Sequence, residues 1–182
     1  YAGTVVHEEL ERLGRVGLPD APGALDGRAP HWRRRLRELG LPENRLAETL
    51  ERVRLAIAGT LDDPRGRWLF DAAHREVATE YALTALLDGR VVVATMDRTF
   101  VAADGTRWIV DFKTSRHEGA DLERFLDTER VRYAAQLERY AAVMRLRDPG
   151  RPVRLGLYFP LHAGWREWAP GEPAPEALRT SP

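Results

Sequence analysis

The sequence predicts a mixed α/β domain, on three observations. Apolar residues recur at helical spacing in the part of the chain before His74. From residue 79 to 113 the chain turns rich in Val, Ile, Thr and aromatic residues, punctuated by two Asp-Gly pairs, which is the pattern of a three-stranded meander. A long helical stretch and at least one more strand-like run follow, an order that builds one sheet with helices around it.

Taken in order, Gly3-Thr4 leads into a short helix over 7–13, stopped by Gly14 and Gly17. Residues 18–30 hold three prolines and two glycines and read as a loop. Helices are expected at 31–39 and 43–58, where Leu36, Leu39, Leu46, Leu50, Val53 and Ile57 fall on helical faces. Asp62-Asp63-Pro64 is a start signal for a shorter helix through Trp68 and Phe70. Strands follow at 79–86, 91–101 and 106–113, with turns at Asp88-Gly89 and Asp104-Gly105. A helix over 121–146 ends at Asp148-Pro149-Gly150, and strands are expected at 153–159 and near 165–168. The proline-rich tail, 170–182, reads as disordered. No internal repeat interrupts this order, so residues 1–169 form a single domain with a helical part at 1–75 and a sheet core at 76–169.

A chain of 182 residues, 43% hydrophobic and 31% charged, is long enough to bury a sizeable core and has an ordinary globular composition. No apolar run approaches the roughly 18 residues of a membrane span, and no signal-peptide pattern opens the chain. With no cysteine, disulfides, thiolate zinc sites and cysteine-ligated iron–sulfur clusters are excluded. A cytoplasmic protein is expected. The net charge is zero, so any affinity for nucleic acid must come from local patches. Lys113 is the only lysine among 28 basic residues, which suggests that position 113 requires an ammonium. The chain begins at Tyr1 without methionine and runs directly into a helical pattern, as a segment of something longer would.

The chemistry concentrates on Met96-Asp97-Arg98 and Val110-Asp111-Phe112-Lys113-Thr114. If the turn between them is the three-residue loop 103–105, Gly105 falls at the left-handed position that such loops require. Residue 102 then faces 106, and Asp97 faces Asp111. Opposed residues hold their Cβ atoms about 4.5–5.5 Å apart. Two carboxylates so close repel unless a cation lies between them. Alternation puts Lys113 on the face of Asp111, about 7 Å along, and turns Phe112 into the core. A two-residue loop would shift the register by one and separate the aspartates. Oxygen ligands of this kind suit Mg²⁺ or Mn²⁺.

These residues, together with Tyr133-x-x-Gln136-x-x-x-Tyr140 and the opening Gly3-Thr4-x-x-His7-x-x-Leu10-Glu11, resemble the RecB-like branch of the PD-(D/E)XK nuclease superfamily. The match runs from about residue 3 to 144, and four motifs in the right order are specific together where a lone D-x-K would be weak. It is most similar to the nuclease module at the C-terminal end of UvrD-type helicases. The motor itself is absent, since the chain has no G-x-x-x-x-G-K-[ST].

The resemblance implies a restriction-endonuclease-like mixed sheet flanked by helices. It implies His7, Asp97 and Asp111 as metal ligands, the Phe112 carbonyl completing the shell, and Lys113 as the catalytic lysine. Gln136 and Tyr140 would close the site, with Tyr133 beside them. Either Glu76 or Glu80 matches the acidic residue ahead of the central strands; Glu80, opening the strand-like run, is the favoured one. Phe112 stands where tyrosine is commoner.

The helix motif also has a physical reading: at about 100° per residue, Tyr133, Gln136 and Tyr140 lie within roughly 60° on one face. Gln136 amid that stripe needs a polar partner. His31, His74, His117 and His162 match nothing. Arg98 and Arg116 are the nearest phosphate contacts, with Thr114 and Tyr133 also placed against DNA. The basic run 31–37 reads either as a phosphate patch or as a solvated helix face.

The implied activity is Mg²⁺- or Mn²⁺-dependent hydrolysis of DNA, at single strands or duplex ends, beside helicase motor domains of the same parent chain and away from membranes. A catalytically inactive scaffold would have lost the aspartates or the lysine, and all are present here.

Overall fold

The computed structural model of the chain describes residues 1–19, 22–173 and 175, which fall into two compact units. One comprises residues 1–72 together with the segments 112–116 and 159–164; the other holds 73–111, 117–158 and the described residues from Trp165 on.

The first unit is helical. Helix α1, Ala2–Val16, runs through Gly14 and ends only at Gly17, which takes a φ of 86°. A mid-helix glycine costs about 1 kcal/mol against alanine. The buried stripe of Val6, Leu10 and Leu13 runs up to the residue before Gly14, and the helix continues through Arg15 and Val16, both exposed, before it ends. The segment expected as loop is more ordered than its prolines suggest. It contains a 3₁₀ turn, Pro22–Arg28, and already at Ala29 it enters α2, Ala29–Glu38. Pro30 sits in the first turn of that helix, where a missing N–H costs nothing. A short 3₁₀ turn, Glu43–Arg45, precedes α3, Leu46–Asp62. Helix α4, Pro64–Leu69, begins as the sequence predicts, with the Asp63 side chain accepting from the Gly66 N–H at 2.9 Å. Helix α3 packs against α1, α2 and α4. Helices α1 and α2 are also tied by charge: Glu9, 2% exposed, accepts from Trp32 at 2.9 Å and from Arg28 at 2.8 Å, and Arg35 donates to Glu8 at 2.8 Å.

The second unit is a five-stranded sheet in the order β1-β2-β3-β4-β5 with one long helix. Its strands are β1 Arg75–Leu87, β2 Arg90–Val101, β3 Arg107–Phe112, β4 Val153–Phe159 and β5 Gly164–Trp168. Asp88 and Gly89, with φ of 49° and 75°, make the tight β1–β2 turn. The β2–β3 connection is the expected three-residue loop. Ala102 N–H donates to Thr106 O, Gly105 N–H donates to Ala102 O, each at 3.0 Å, and Gly105 has φ 87°. Helix α5, Leu122–Arg147, is capped by Asp121, which accepts from Arg124 N–H at 2.9 Å, and it packs on β1 and β2. Arg107 N–H, at the start of β3, donates to Pro152 O, just ahead of β4, at 2.8 Å. With their starts side by side and α5 between them in sequence, β3 and β4 run parallel, so the sheet is mixed. The expected α/β class and central meander are what the chain forms.

Among the described residues no helix is long and apolar enough to cross a membrane. The tail expected to be disordered lies, at 174 and 176–182, outside the described residues.

Candidate metal centre on the sheet

The loop at 103–105 sets everything that follows. It pairs Val101 with Arg107, Phe100 with Trp108, Thr99 with Ile109 and Arg98 with Val110. One further step in that register sets Asp97 opposite Asp111. On the other side of β2, Thr79 pairs with Arg98 and Tyr81 with Met96, so Glu80 stands opposite Asp97. Three carboxylates thus form a row across β1, β2 and β3. Opposed residues share a face of the sheet, and adjacent strands lie about 4.7–4.9 Å apart. Carboxylate oxygens of Glu80 and Asp97 lie within 4.8 Å of each other. The row is graded by depth: Glu80 is exposed, Asp97 half-buried and Asp111 only 4% exposed. Negative charges held this close destabilise one another, and a hard divalent cation between them reverses the sign of the interaction.

Glu80 has a second peculiarity, a φ of 51° inside a strand. Glu76, the other residue that the sequence left open, is committed elsewhere. It pairs with Arg107, and with Arg151 at 3.2 Å, in a network that also includes Asp148. Of the two, it is Glu80 that stands beside Asp97.

Beyond Asp111 the chain passes to the helical unit. Phe112, 2% exposed, stacks on Phe70 with centroids 6.1 Å apart and meets the half-buried His7 ring edge-on at 6.2 Å. Its ring is in the core, as strand alternation required. Lys113 lies one residue past the end of β3 and is half-buried. Thr114 is half-buried beside Gly3 of α1: a Cβ on Gly3 would lie 2.6 Å from Thr114 Oγ1. The glycine of the opening motif is therefore where helix and post-strand segment touch. His162, which no motif singled out, donates from Nε2 to the Ser115 carbonyl at 3.1 Å and holds the same segment from the β4–β5 connection. Nothing in the sequence points to that contact, because the two residues are far apart in the chain.

On α5, Gln136 Nε2 donates to the Tyr140 hydroxyl at 2.6 Å. The partner that Gln136 needed is one helical turn along. Tyr140 is 8% exposed, and Tyr133 is half-buried with the Arg132 guanidinium 5.2 Å from its ring centroid.

Arg98 requires a correction. Expected to meet phosphate, it is 2% exposed, donates from Nη1 to Thr79 Oγ1 at 3.2 Å and sits 5.9 Å from the Phe100 ring. Strand alternation turns it to the face opposite Asp97. Burial lowers its pKa to about 10, which still leaves it charged at neutral pH. Arg116 is exposed and pairs with Glu48 at 3.1 Å. In the basic run, Trp32 is buried, and Arg35 and Arg37 are paired with Glu8 and Glu43.

The family profile of the PD-(D/E)XK nuclease superfamily matches residues 1–178. No curated protein matches the chain.

Proposed function

Because the chain belongs to the PD-(D/E)XK nuclease superfamily, we propose that it is a divalent-metal-dependent deoxyribonuclease domain that hydrolyses phosphodiester bonds. The observation that carries this reading is that the carboxylates of Glu80 and Asp97, on neighbouring strands, lie within 4.8 Å of each other, with Asp111 one register step beyond the Arg98–Val110 pair on the next strand. The donor set fits the metal: carboxylate oxygens are hard ligands suited to Mg²⁺ or Mn²⁺, and neither cysteine nor a run of histidines competes for softer ions.

In this reading Asp97, Asp111 and the Phe112 carbonyl hold the ion, with His7 as a further ligand and Glu80 as the acidic neighbour. A bound divalent ion supplies Lewis-acid polarisation of the phosphate and lowers the pKa of its water. The chain's own groups do the rest. Lys113 orients the attacking water, accepts or holds its proton, and offsets negative charge as the phosphorane-like transition state forms. Gln136 and Tyr140, joined by their hydrogen bond, present one polar pair to the nucleotide, with Tyr133 a turn before them. Thr114 and Arg116 follow Lys113 and contact the strand. The domain acts as the nuclease module beside a UvrD-type helicase motor and works on strands that the motor delivers.

The test is cleavage of single-stranded and duplex DNA with Mg²⁺, alongside Mn²⁺ calorimetry. Wild-type protein cleaves and binds Mn²⁺, and Asp111→Ala does neither. Unchanged Mn²⁺ binding in Asp111→Ala overturns the ligand assignment. Metal-independent cleavage overturns the reaction class.

A further inference from the structure

Glu80 adopts a backbone conformation that a residue with a Cβ avoids. Its φ of 51° lies in the left-handed region, in mid-strand, between the regular pairs Thr79–Arg98 and Tyr81–Met96. Glycine or asparagine would take that conformation at less cost. A strained position persists where its surroundings over-determine it, and strain of this kind gathers at functional sites. Glu76 on the same strand has a φ of 49°, but it lies at the register shift and is paired with Arg107; of the two, it is Glu80 whose carboxylate reaches within 4.8 Å of Asp97.

The surroundings that hold it are visible at the preceding register step. Thr79 Oγ1 accepts a hydrogen bond from Arg98 Nη1 at 3.2 Å, across the β1–β2 ladder. Thr79 is bonded in sequence to Glu80, and Arg98 to Asp97, so one side-chain bond straddles the peptides carrying both acids. The donor is 2% exposed, which restricts its motion, and a charged donor makes a stronger bond than a neutral one. We propose that Thr79 and Arg98 are positioning residues that pin the strained Glu80 carboxylate next to Asp97, so that the pair is preorganised for a divalent cation. This rests on the metal-centre reading above and adds the parts that shape it.

The experiment uses the full chain, with Mn²⁺ calorimetry and thermal melts in EDTA. Thr79→Val keeps shape and strand propensity but removes the acceptor. It is expected to fold with a lower Tm than wild type, since a buried charged donor loses an acceptor, and to bind Mn²⁺ about 10-fold or more weakly, the usual scale for a residue supporting metal ligands. Thr79→Ser restores the hydroxyl and should recover affinity. Glu80→Gly relieves the backbone and removes the carboxylate, so it should raise Tm in EDTA while weakening Mn²⁺ binding. Wild-type Mn²⁺ affinity in Thr79→Val, or an unchanged or lower Tm in Glu80→Gly, overturns the proposal. Should Thr79→Val fail to fold, Glu80→Gly decides alone. Asp97→Asn separates the two levels. If it binds Mn²⁺ like wild type, the metal-centre reading has failed. If it loses Mn²⁺ while Thr79→Val keeps it, only the positioning role has failed.

Discussion

Lys113 stands alone among 27 arginines, two residues after Asp111. An ammonium is compact and can lose its proton when its pKa is lowered, whereas a guanidinium stays charged and spreads over a planar fork. Lys113→Arg is therefore expected to be nearly as damaging as Lys113→Ala, losing about 100-fold or more in single-turnover cleavage at saturating Mg²⁺. Mn²⁺ binding should survive both changes. Near wild-type cleavage by the arginine variant would mean that position 113 supplies charge alone. At this scale the opposition of Asp97 and Asp111 was legible only on condition of a three-residue loop, and the structure supplies that loop, with Gly105 at φ 87° and Arg98 paired with Val110. The choice between Glu76 and Glu80 was not. It depends on a distortion at the start of β1, where the register shifts between Arg75 and Ala78, and no local sequence signal announces that shift. Arg98 was misread for a similar reason. A charged residue beside a candidate ligand suggests phosphate binding, yet alternation alone turns it to the other face.

Elements meet at two points that carry consequences. Gly3 of α1 touches Thr114, and the added Cβ of Gly3→Ala would force the segment around Lys113 to move. Overpacking of this kind costs about 1–3 kcal/mol. Cleavage should fall in Gly3→Ala and recover in the Gly3→Ala/Thr114→Ala double variant, which removes the crowding hydroxyl. Equal activity in the single variant and wild type would show that the contact is slack. The second point is Glu9. Burial by itself raises its carboxyl pKa, but hydrogen bonds from Arg28, Trp32 and Arg12 override this and hold it below the ordinary value. A carboxyl whose folded pKa is depressed contributes stability above its unfolded pKa, about 4.3, and loses it as pH falls through the lower folded value. Urea midpoints should therefore drop steeply below about pH 4.3 in wild type. In Glu9→Gln they should be lower at neutral pH and change less across the acid range. Parallel curves for the two proteins would rule out Glu9 as a source of acid sensitivity.

For the whole molecule the deciding quantity is charge. With 28 acidic and 28 basic residues, and with many arginines engaged in ion pairs across the helices, long-range attraction to DNA is weak. The domain alone should cleave duplex DNA slowly. Joined to motor domains and supplied with ATP, it should cleave much faster, because local concentration replaces electrostatic steering. Rates on duplex DNA that are equal with and without the motor and ATP would contradict this.

What the sequence determined by itself was whatever depends on neighbours in the chain. Periodicity and turn residues specified the α/β class, the meander and the Asp63 start of α4, and tied the opposition of Asp97 and Asp111 to a three-residue loop, because hydrogen-bonding and dihedral preferences act over a few residues. Only the tertiary structure decided that Glu80 stands beside Asp97 and that Arg98 is buried against Thr79. Both depend on which surfaces lose water together, and that is fixed by segments distant in the chain rather than by a local preference.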